Sequence, residues 1–410
     1  MEIMLSAKGS NVTAWRGTQN FAAAYRQALL DRAASDRCGG AESAFLEACA
    51  TLDTALNTHQ ELLKSLEFLS GELFAKPSTG LKEVTSAFYN DLYRHFDHFR
   101  SAPAFYQLSM AFLRGASAAI IARTTEQLGK QADHLPEVAL IAVGPAGRLE
   151  YSPFCRLQVL LVHGEVAASQ REGINQFCTA LHAGFEDAGM AVDPEVTPRN
   201  ARWRGTLAEW RQRCEEGLHS QADEDLIDLC RLVDQYPLHP VEGFAGELKQ
   251  TSSAALRGNR PALTNLIGRM TALSNGLGLM GRLKLERSGS GRGMFSLLGH
   301  GLLPLSAALS ALALIKESPA VGSCERIHDL LRRRELDVEL AERMLATWYS
   351  LNDFRLRREQ SVQSDERTDR SIFLDPDELT FERRQALKES LESVATIQRH
   401  VEIMFSGMGE

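Results

Sequence analysis

One short segment, Gly144-Pro-Ala-Gly-Arg-Leu-Glu150, carries the residue types that could bind a phosphate group. Glycines placed after a buried strand let the backbone approach a phosphate, and the side chain of Arg148 could neutralise its charge. The segment is not a Walker loop, because no Gly-Lys-Ser/Thr sequence follows it. Two interpretations stay open: Gly144, Gly147, Arg148 and Glu150 contact a nucleotide, or Arg148 and Glu150 pair with each other in a purely structural turn.

Short apolar runs on both sides of this segment predict the elements that position it. Runs rich in β-branched residues predict strands over 137–143 and 157–163. A helix is predicted over 169–188, and a third short strand over 190–192. Strand, glycine turn, strand, helix and strand together describe a small α/β domain.

Helical spacing of apolar residues dominates the rest of the chain. We predict a helical bundle over 1–130, the α/β domain over 131–240 and a C-terminal helical domain over 241–410. The expected fold class is therefore α+β and mostly helical. Thr380 is expected to cap the last helix. Three groups at helical spacing are expected to lie in the core: Phe88, Tyr89, Tyr93, Phe96 and Phe99; Leu340, Met344, Trp348, Leu351 and Phe354; Leu387, Leu391, Val394, Val401 and Met404.

Charge and composition argue against several classes of partner. The 410 residues carry a net charge of −8, which gives no overall attraction to nucleic acid. Residues 332–370 contain nine arginines and nine acidic residues, which is typical of a solvated, ion-paired helical face. The longest apolar run, 302–315, is shorter than the ~20 residues of a membrane helix. Seven scattered cysteines and the lack of a secretion signal indicate a cytoplasmic protein.

The glycine segment between two strands resembles the glycine motif of DNA polymerase β-type nucleotidyltransferases. Its motif sequence is most similar to that of a nucleotidyltransferase family related to PII-protein uridylyltransferase. The motif of that family is G-S-x-G-R-x-E followed by D-x-D. The resemblance covers roughly residues 110–405 in the family's order. Four later segments carry it: Asn200–Trp210, Leu232–Pro237, Gly301–Pro304 and Leu374–Arg384.

The resemblance implies a Mg²⁺ site made by paired carboxylates, and this chain departs from that pattern. The two carboxylate positions are occupied by Arg156 and Gln158. The motif serine is Pro145, and the arginine of the family's D-x-R-P is Tyr236. Further polar family positions are neutral or apolar here, namely Ser296, Leu298, Ala307 and Ser310. The resemblance thus implies a degenerate site with no catalytic residue and no required cofactor.

Three functional hypotheses follow, and the first is preferred. The chain is a degenerate nucleotidyltransferase-like protein with a regulatory, scaffolding or signal-transduction role, working with a protein partner and without nucleic acid or membrane. It is alternatively an active uridylyl- or adenylyltransferase that uses Mg²⁺ and an NTP, with Glu150, Asp193 and Glu195 as the nearby carboxylates. The third hypothesis is a metal-free nucleotide sensor, in which Arg148 and Arg156 bind phosphates. Asp193 and Glu195 can equally be plain loop residues, and a homodimer is left open.

Two tryptophans of the Asn200–Trp210 segment are expected to be buried between the α/β domain and the helical region. Trp203 and Trp210 lie seven residues apart, about two helical turns, so we predict that they share one face of a helix.

Overall fold

A computed structural model describes residues 80–129, 135–167, 170–220, 222–239, 241, 243–362 and 373–407. Most of these residues are helical, and a small mixed sheet accompanies the helices, so the predicted α+β, mostly helical class is confirmed. Most of the predicted bundle, residues 1–79, lies outside the described residues. The domain boundaries at 130/131 and 240/241 stay predictions.

The secondary structure follows the chain in this order. The strands are β1 (Val138–Val143), β2 (Val159–His163), β3 (Arg204–Gly205), β4 (Gln235–His239), β5 (Phe295–Ser296) and β6 (Phe373–Leu374). The helices are α1 (Leu81–Phe99), α2 (Ala102–Leu128), α3 (Gly144–Gly147), α4 (Arg171–Asp187), α5 (Leu207–His219), α6 (Asp223–Arg231), α7 (Phe244–Gly258), α8 (Arg260–Thr271), α9 (Leu303–Ile315), α10 (Ser323–Arg332), α11 (Val338–Ser361) and α12 (Phe381–Ser406). A π-helical turn, Leu298–Leu302, leads directly into α9.

The larger sheet has the strand order β3-β2-β1-β4. Strand β1 pairs antiparallel with both β2 and β4, whereas β3 runs parallel to β2. Residues 139–143 of β1 and 159–163 of β2 are all buried. Strands buried on both faces show continuous apolar runs, which is why these two could be predicted from the sequence.

Two predicted elements of the sheet need correction. The third strand expected over 190–192 is reduced to one bridge between Leu157 and Val192. Strand β4 was not predicted, because Pro237 indicates the end of the preceding helix. In the structure Pro237 lies opposite Ile141, where the register shifts, and β4 is the last strand of the sheet. An edge strand tolerates proline, since its missing N–H faces away from a ladder partner.

The expected core residues of the helices are buried. Phe88, Tyr89, Tyr93 and Phe96 of α1 pack in the core, and Phe88 stacks on Phe112 of α2. The side chain of Phe99 lies outside the described residues. The stripes predicted on α11 and α12 are buried, with Met404 partly so. The hydroxyl of Thr380 accepts a hydrogen bond from the Arg383 N–H, which confirms it as the cap of α12.

Among the described residues, two helical stretches are long and apolar enough to cross a membrane, which corrects the expectation that no stretch is. They are 102–128 and 298–315, and the most apolar windows of the two are 61% and 72% buried inside the protein. Helices buried in this way are typical of the core of a soluble protein, so the finding is consistent with one.

Candidate functional site

The glycine segment leaves β1 through a backbone that is tight against other parts of the protein. Gly144 has a φ of +61° and Leu149 a φ of +64°, so both lie in the left-handed region. A Cβ at Gly144 would meet Gln158 Oε1 at 2.4 Å, and one at Gly147 would meet the Asp234 carbonyl oxygen at 2.2 Å. Glycine is required at 147 because the Asp234 backbone fills the space beside it, and it is favoured at 144 by the positive φ, since the Gln158 side chain there could move aside.

Glu150 is buried, the side chain of Arg148 is 13% exposed, and both are bound by protein groups. Arg148 NH1 donates to Asp234 Oδ2 at 2.9 Å, and Arg148 Nε lies 3.5 Å from Glu150 Oε2. Glu150 Oε1 accepts hydrogen bonds from Ser323 Oγ at 2.5 Å and from Trp348 Nε1 at 2.7 Å. Burial alone would lower the pKa of Arg148, but the two carboxylates outweigh it and raise this pKa. The two side chains connect the turn to α10 and α11.

Asp234, just before β4, is the centre of a buried charge network. Its Oδ1 lies 2.8 Å from Arg326 NH1, and Ser310 Oγ donates to the same carboxylate at 2.8 Å. Burial alone would raise the pKa of Asp234, yet the Arg326 and Arg148 guanidinium groups hold it below its usual value. Asp234 thus stays ionised between two arginines that come from distant parts of the chain.

The residues at the expected metal positions form a different arrangement. Arg156 is exposed, and among the described residues it makes no hydrogen bond or ion pair. Gln158 Nε2 donates to Asp193 Oδ2 at 2.9 Å, while Asp193 Oδ1 accepts from the N–H groups of Glu195 and Val196 at 3.0 Å. Burial raises the pKa of Asp193, but these three donors lower it overall. The side chain of Glu195 is exposed.

Two family models match this chain in the segments that hold these residues. Residues 92–224 match the one described as "Putative nucleotidyltransferase DUF294", and residues 260–405 match "Putative nucleotidyltransferase substrate binding domain". The chain belongs to this nucleotidyltransferase family. No curated protein matches it significantly.

The resemblance to polymerase β-type nucleotidyltransferases implies Mg²⁺ held by two carboxylates, and Arg156 and Gln158 at those positions supply neither. Mg²⁺ requires oxygen ligands in near-octahedral geometry. Both oxygens of Asp193 already accept hydrogen bonds from protein donors, and Oε1 of Glu150 accepts two while its Oε2 faces Arg148. Within the described parts of the chain, no three His, Cys, Asp or Glu side chains form a group that could hold a metal.

The family resemblance implies arginine at positions 236 and 310, where this chain has Tyr236 and Ser310, and in the structure an arginine from elsewhere lies close to each of them. At Ser310 the nearby cation is Arg326, whose NH1 donates to the Ser310 hydroxyl at 2.9 Å. At Tyr236 the guanidinium of Arg114 lies 5.8 Å from the ring centroid. Positive charge is therefore present near both positions, although it comes from other elements of the fold.

A second buried network lies beside the glycine turn and corrects the prediction for 332–370. Arg355 of α11 donates to Glu359 Oε1 at 2.8 Å and to Ser152 Oγ at 2.9 Å. Glu359 Oε2 also accepts from Tyr93 OH at 2.8 Å. Arg355 and Glu359 are buried, so a solvated face is wrong for this part of the helix. Arg355 and Glu359 are buried because α11 packs against α2, which removes one face of α11 from water.

The prediction that Trp203 and Trp210 are buried is confirmed, whereas the prediction that they lie on one helix is wrong. Trp203 lies in a one-turn 3-10 helix, whereas Trp210 lies in α5, which begins after the capping box of Thr206 and Glu209. Both side chains are buried, and their ring centroids are 6.1 Å apart. Trp210 Nε1 donates to the Leu161 carbonyl at 3.2 Å, which fixes α5 against β2.

The structure brings some of the predicted site residues together and separates others. Gly144, Gln158 and Asp193 lie side by side, whereas Arg148 and Glu150 face the interior. Nucleotide contact by any of these residues stays a prediction. Arg326 was not predicted as a site residue, although it is adjacent to Ile327 on a helix whose apolar positions also include Leu330. A charged residue beside such a stripe is a signal that could have found it.

Proposed function

We propose that this member of the nucleotidyltransferase family is catalytically inactive and serves as a regulatory or scaffolding protein in the cytoplasm. The observation that carries the proposal is the hydrogen bond from Gln158 Nε2 to Asp193 Oδ2. In it Gln158, at a position where the resemblance implies a carboxylate, is an amide that donates to Asp193, so this pair presents one carboxylate instead of two. Arg156 lies two residues before Gln158 and adds a positive charge there, which would repel a metal cation.

The retained motif residues support the proposal because they have a structural role independent of chemistry. Glu150 is buried and Arg148 is mostly so, and their partners Asp234, Ser323 and Trp348 come from three other parts of the chain. Removing one partner of a buried ion pair costs about 3–5 kcal/mol. The fold therefore needs these residues whether or not a nucleotide is ever transferred.

We also propose that the chain binds a protein partner and that it is related to PII-protein uridylyltransferase. If catalysis is absent, the chain must act by binding, and a protein is the partner class that the resemblance favours. The partner could also be a second copy of this chain.

The direct test is label transfer from each radiolabelled NTP with Mg²⁺ or Mn²⁺ and cell extract, using the full chain. We expect no transfer above that of extract alone. Transfer that requires the chain and disappears in Asp193→Asn would overturn the proposal, because it would show a working carboxylate.

A second test restores the missing carboxylates. Arg156→Asp combined with Gln158→Asp should create Mn²⁺ binding that the parent lacks, measured by calorimetry. Arg171→Asp with Gln176→Asp on the exposed side of α4 makes the same change of charge and is the matched control. Equal Mn²⁺ binding by both double variants would show that the site geometry is not retained and would contradict the argument.

Metal-free nucleotide sensing is a second candidate, favoured by the exposed Arg156 that has no partner among the described residues. Calorimetry with ATP, UTP and cyclic nucleotides in EDTA tests it. Binding that is lost in Arg156→Gln would support sensing, and no binding by any of them would exclude it.

A further inference from the structure

A cavity of about 300 Å³ lies between α7, the end of α9 and α10. Helix α7 contributes Lys249, Ser253 and Arg257, which are spaced four residues apart and so share one face of the helix. Arg326 of α10 lines the cavity from the opposite element, and Glu317 is the one carboxylate among its lining residues. Three cations thus surround a small space that holds one acidic group.

Two of these three cations already have a carboxylate partner. Arg257 NH2 lies 3.6 Å from Glu317 Oε2, and Arg326 NH1 lies 2.8 Å from Asp234 Oδ1. Lys249 donates only to a neutral group, the Pro319 carbonyl, at 3.1 Å. Among the residues that the structure describes, no carboxylate forms an ion pair with Lys249, so its positive charge has no partner of opposite sign.

Such a charge is costly where water is partly excluded. Burial lowers the pKa of Lys249, and the nearby Arg326 lowers it further, while Asp234 offsets only part of this effect. The side chain of Arg326 is itself only 2% exposed. Buried charges in proteins are ordinarily paired, so an anion in the cavity would complete the charge balance.

We infer that this cavity binds the phosphoryl group of a small phosphorylated molecule. Guanidinium groups and an ammonium are the side chains that form the strongest hydrogen bonds to phosphate oxygens. The amide of Gln250 and the hydroxyl of Ser253 are further polar groups in its wall. Small-molecule sites span roughly 300–1,000 Å³, so the cavity is sized for free phosphate or a small monophosphate. The inference goes beyond the proposed function and holds whether or not the chain transfers nucleotides.

The bound anion would also be linked to the glycine turn. Arg326 lines the cavity and binds Asp234, and Asp234 in turn binds Arg148. An anion that attracts the Arg326 guanidinium would weaken its pull on Asp234. This gives a regulatory protein a physical route from a soluble ligand to the centre of its fold.

The test is calorimetry on the full chain at constant ionic strength, with inorganic phosphate, AMP and glucose 6-phosphate as probes. Lys249→Met should raise the Kd for the best probe by about tenfold or more, because a charge-assisted hydrogen bond is lost. Lys388→Met on α12 is the matched control, since Lys388 makes no hydrogen bond or ion pair with the described residues, and it should leave the Kd unchanged. The three probes separate free phosphate from nucleoside and sugar phosphates.

A second readout keeps the proposal testable if the variants differ in stability. Without ligand, Lys249→Met should melt at the same temperature as the parent or higher, because it removes an unpaired charge. Arg257→Gln should also weaken binding. No saturable binding of any probe up to about 10 mM would overturn the inference. So would binding that Lys249→Met and Lys388→Met weaken equally.

Discussion

Replacing Asp234 by asparagine tests whether the glycine turn is held by a buried charge network. The substitution keeps the shape of the side chain and removes one negative charge. In the parent, the carboxylate accepts from Arg148 at 2.9 Å, from Arg326 at 2.8 Å and from Ser310 at 2.8 Å. An asparagine has one acceptor oxygen, so one of the two arginines would face an N–H donor.

The size of the effect follows from the charges that remain. Arg148, Arg326, Glu150 and Asp234 balance in the parent, whereas the variant has two cations and one carboxylate. Asp234 and Arg326 are almost fully buried, so solvent cannot screen the imbalance. Removing one partner of a buried pair costs about 3–5 kcal/mol, and we expect the free energy of unfolding to fall by that amount.

Urea unfolding followed by circular dichroism and tryptophan fluorescence measures the loss. Asp225→Asn is the matched control, because Asp225 pairs with Arg202 at an exposed site where a salt bridge contributes about 0–1 kcal/mol. Adding Arg326→Met to Asp234→Asn should restore part of the stability by removing the unpaired cation. A loss below about 1 kcal/mol, or one equal to that of Asp225→Asn, would refute the reasoning.

Three further predictions concern stability. Gly147→Ala should destabilise the protein by about 2–3 kcal/mol, because its Cβ would meet the Asp234 backbone. The control Gly268→Ala has open space around it and should be neutral or stabilising by up to about 1 kcal/mol. Thermal melting compares the two variants. Trp210→Phe should cost about 1–3 kcal/mol in urea unfolding by leaving the Leu161 carbonyl without its donor, and a neutral result would contradict the assigned bond. The lowered pKa of Asp234 provides stability that is full above the unfolded pKa of about 3.9 and is lost as pH falls through the folded pKa, so acid titration of stability should be steeper in the parent than in Asp234→Asn.

The sequence predicted the parts of the fold whose signal is local. Strands β1 and β2 are continuous apolar runs, and the stripes of α11 and α12 recur at helical spacing. Strand β4 was not predicted because it contains Pro237 and, among the described strands, pairs only with β1, which lies far away in the chain. Pairing of this kind leaves no periodic pattern in the strand itself.

The family resemblance allowed the positions of the candidate site to be predicted. The ion-pair partners that these side chains find in the folded protein could not be predicted. Position 158 lies beside Gly144, as the family pattern implies. That Arg148 faces Asp234 instead of solvent could not be predicted from the turn, because Asp234 lies just before β4, far away in the chain. The same holds for Arg326 and Lys249, whose importance depends on which carboxylates the tertiary fold places near them.

The position of Asp234 has a consequence for exchanging parts between relatives. It lies between the two family segments, 92–224 and 260–405, yet it joins Arg148 in the first to Arg326 in the second. A chimera that took each segment from a different parent would keep every recognisable motif and still bring together a carboxylate and arginines that never evolved side by side. Such hybrids should fold only when positions 148, 234 and 326 are inherited as a set, so the unit of recombination in this chain is larger than either family segment.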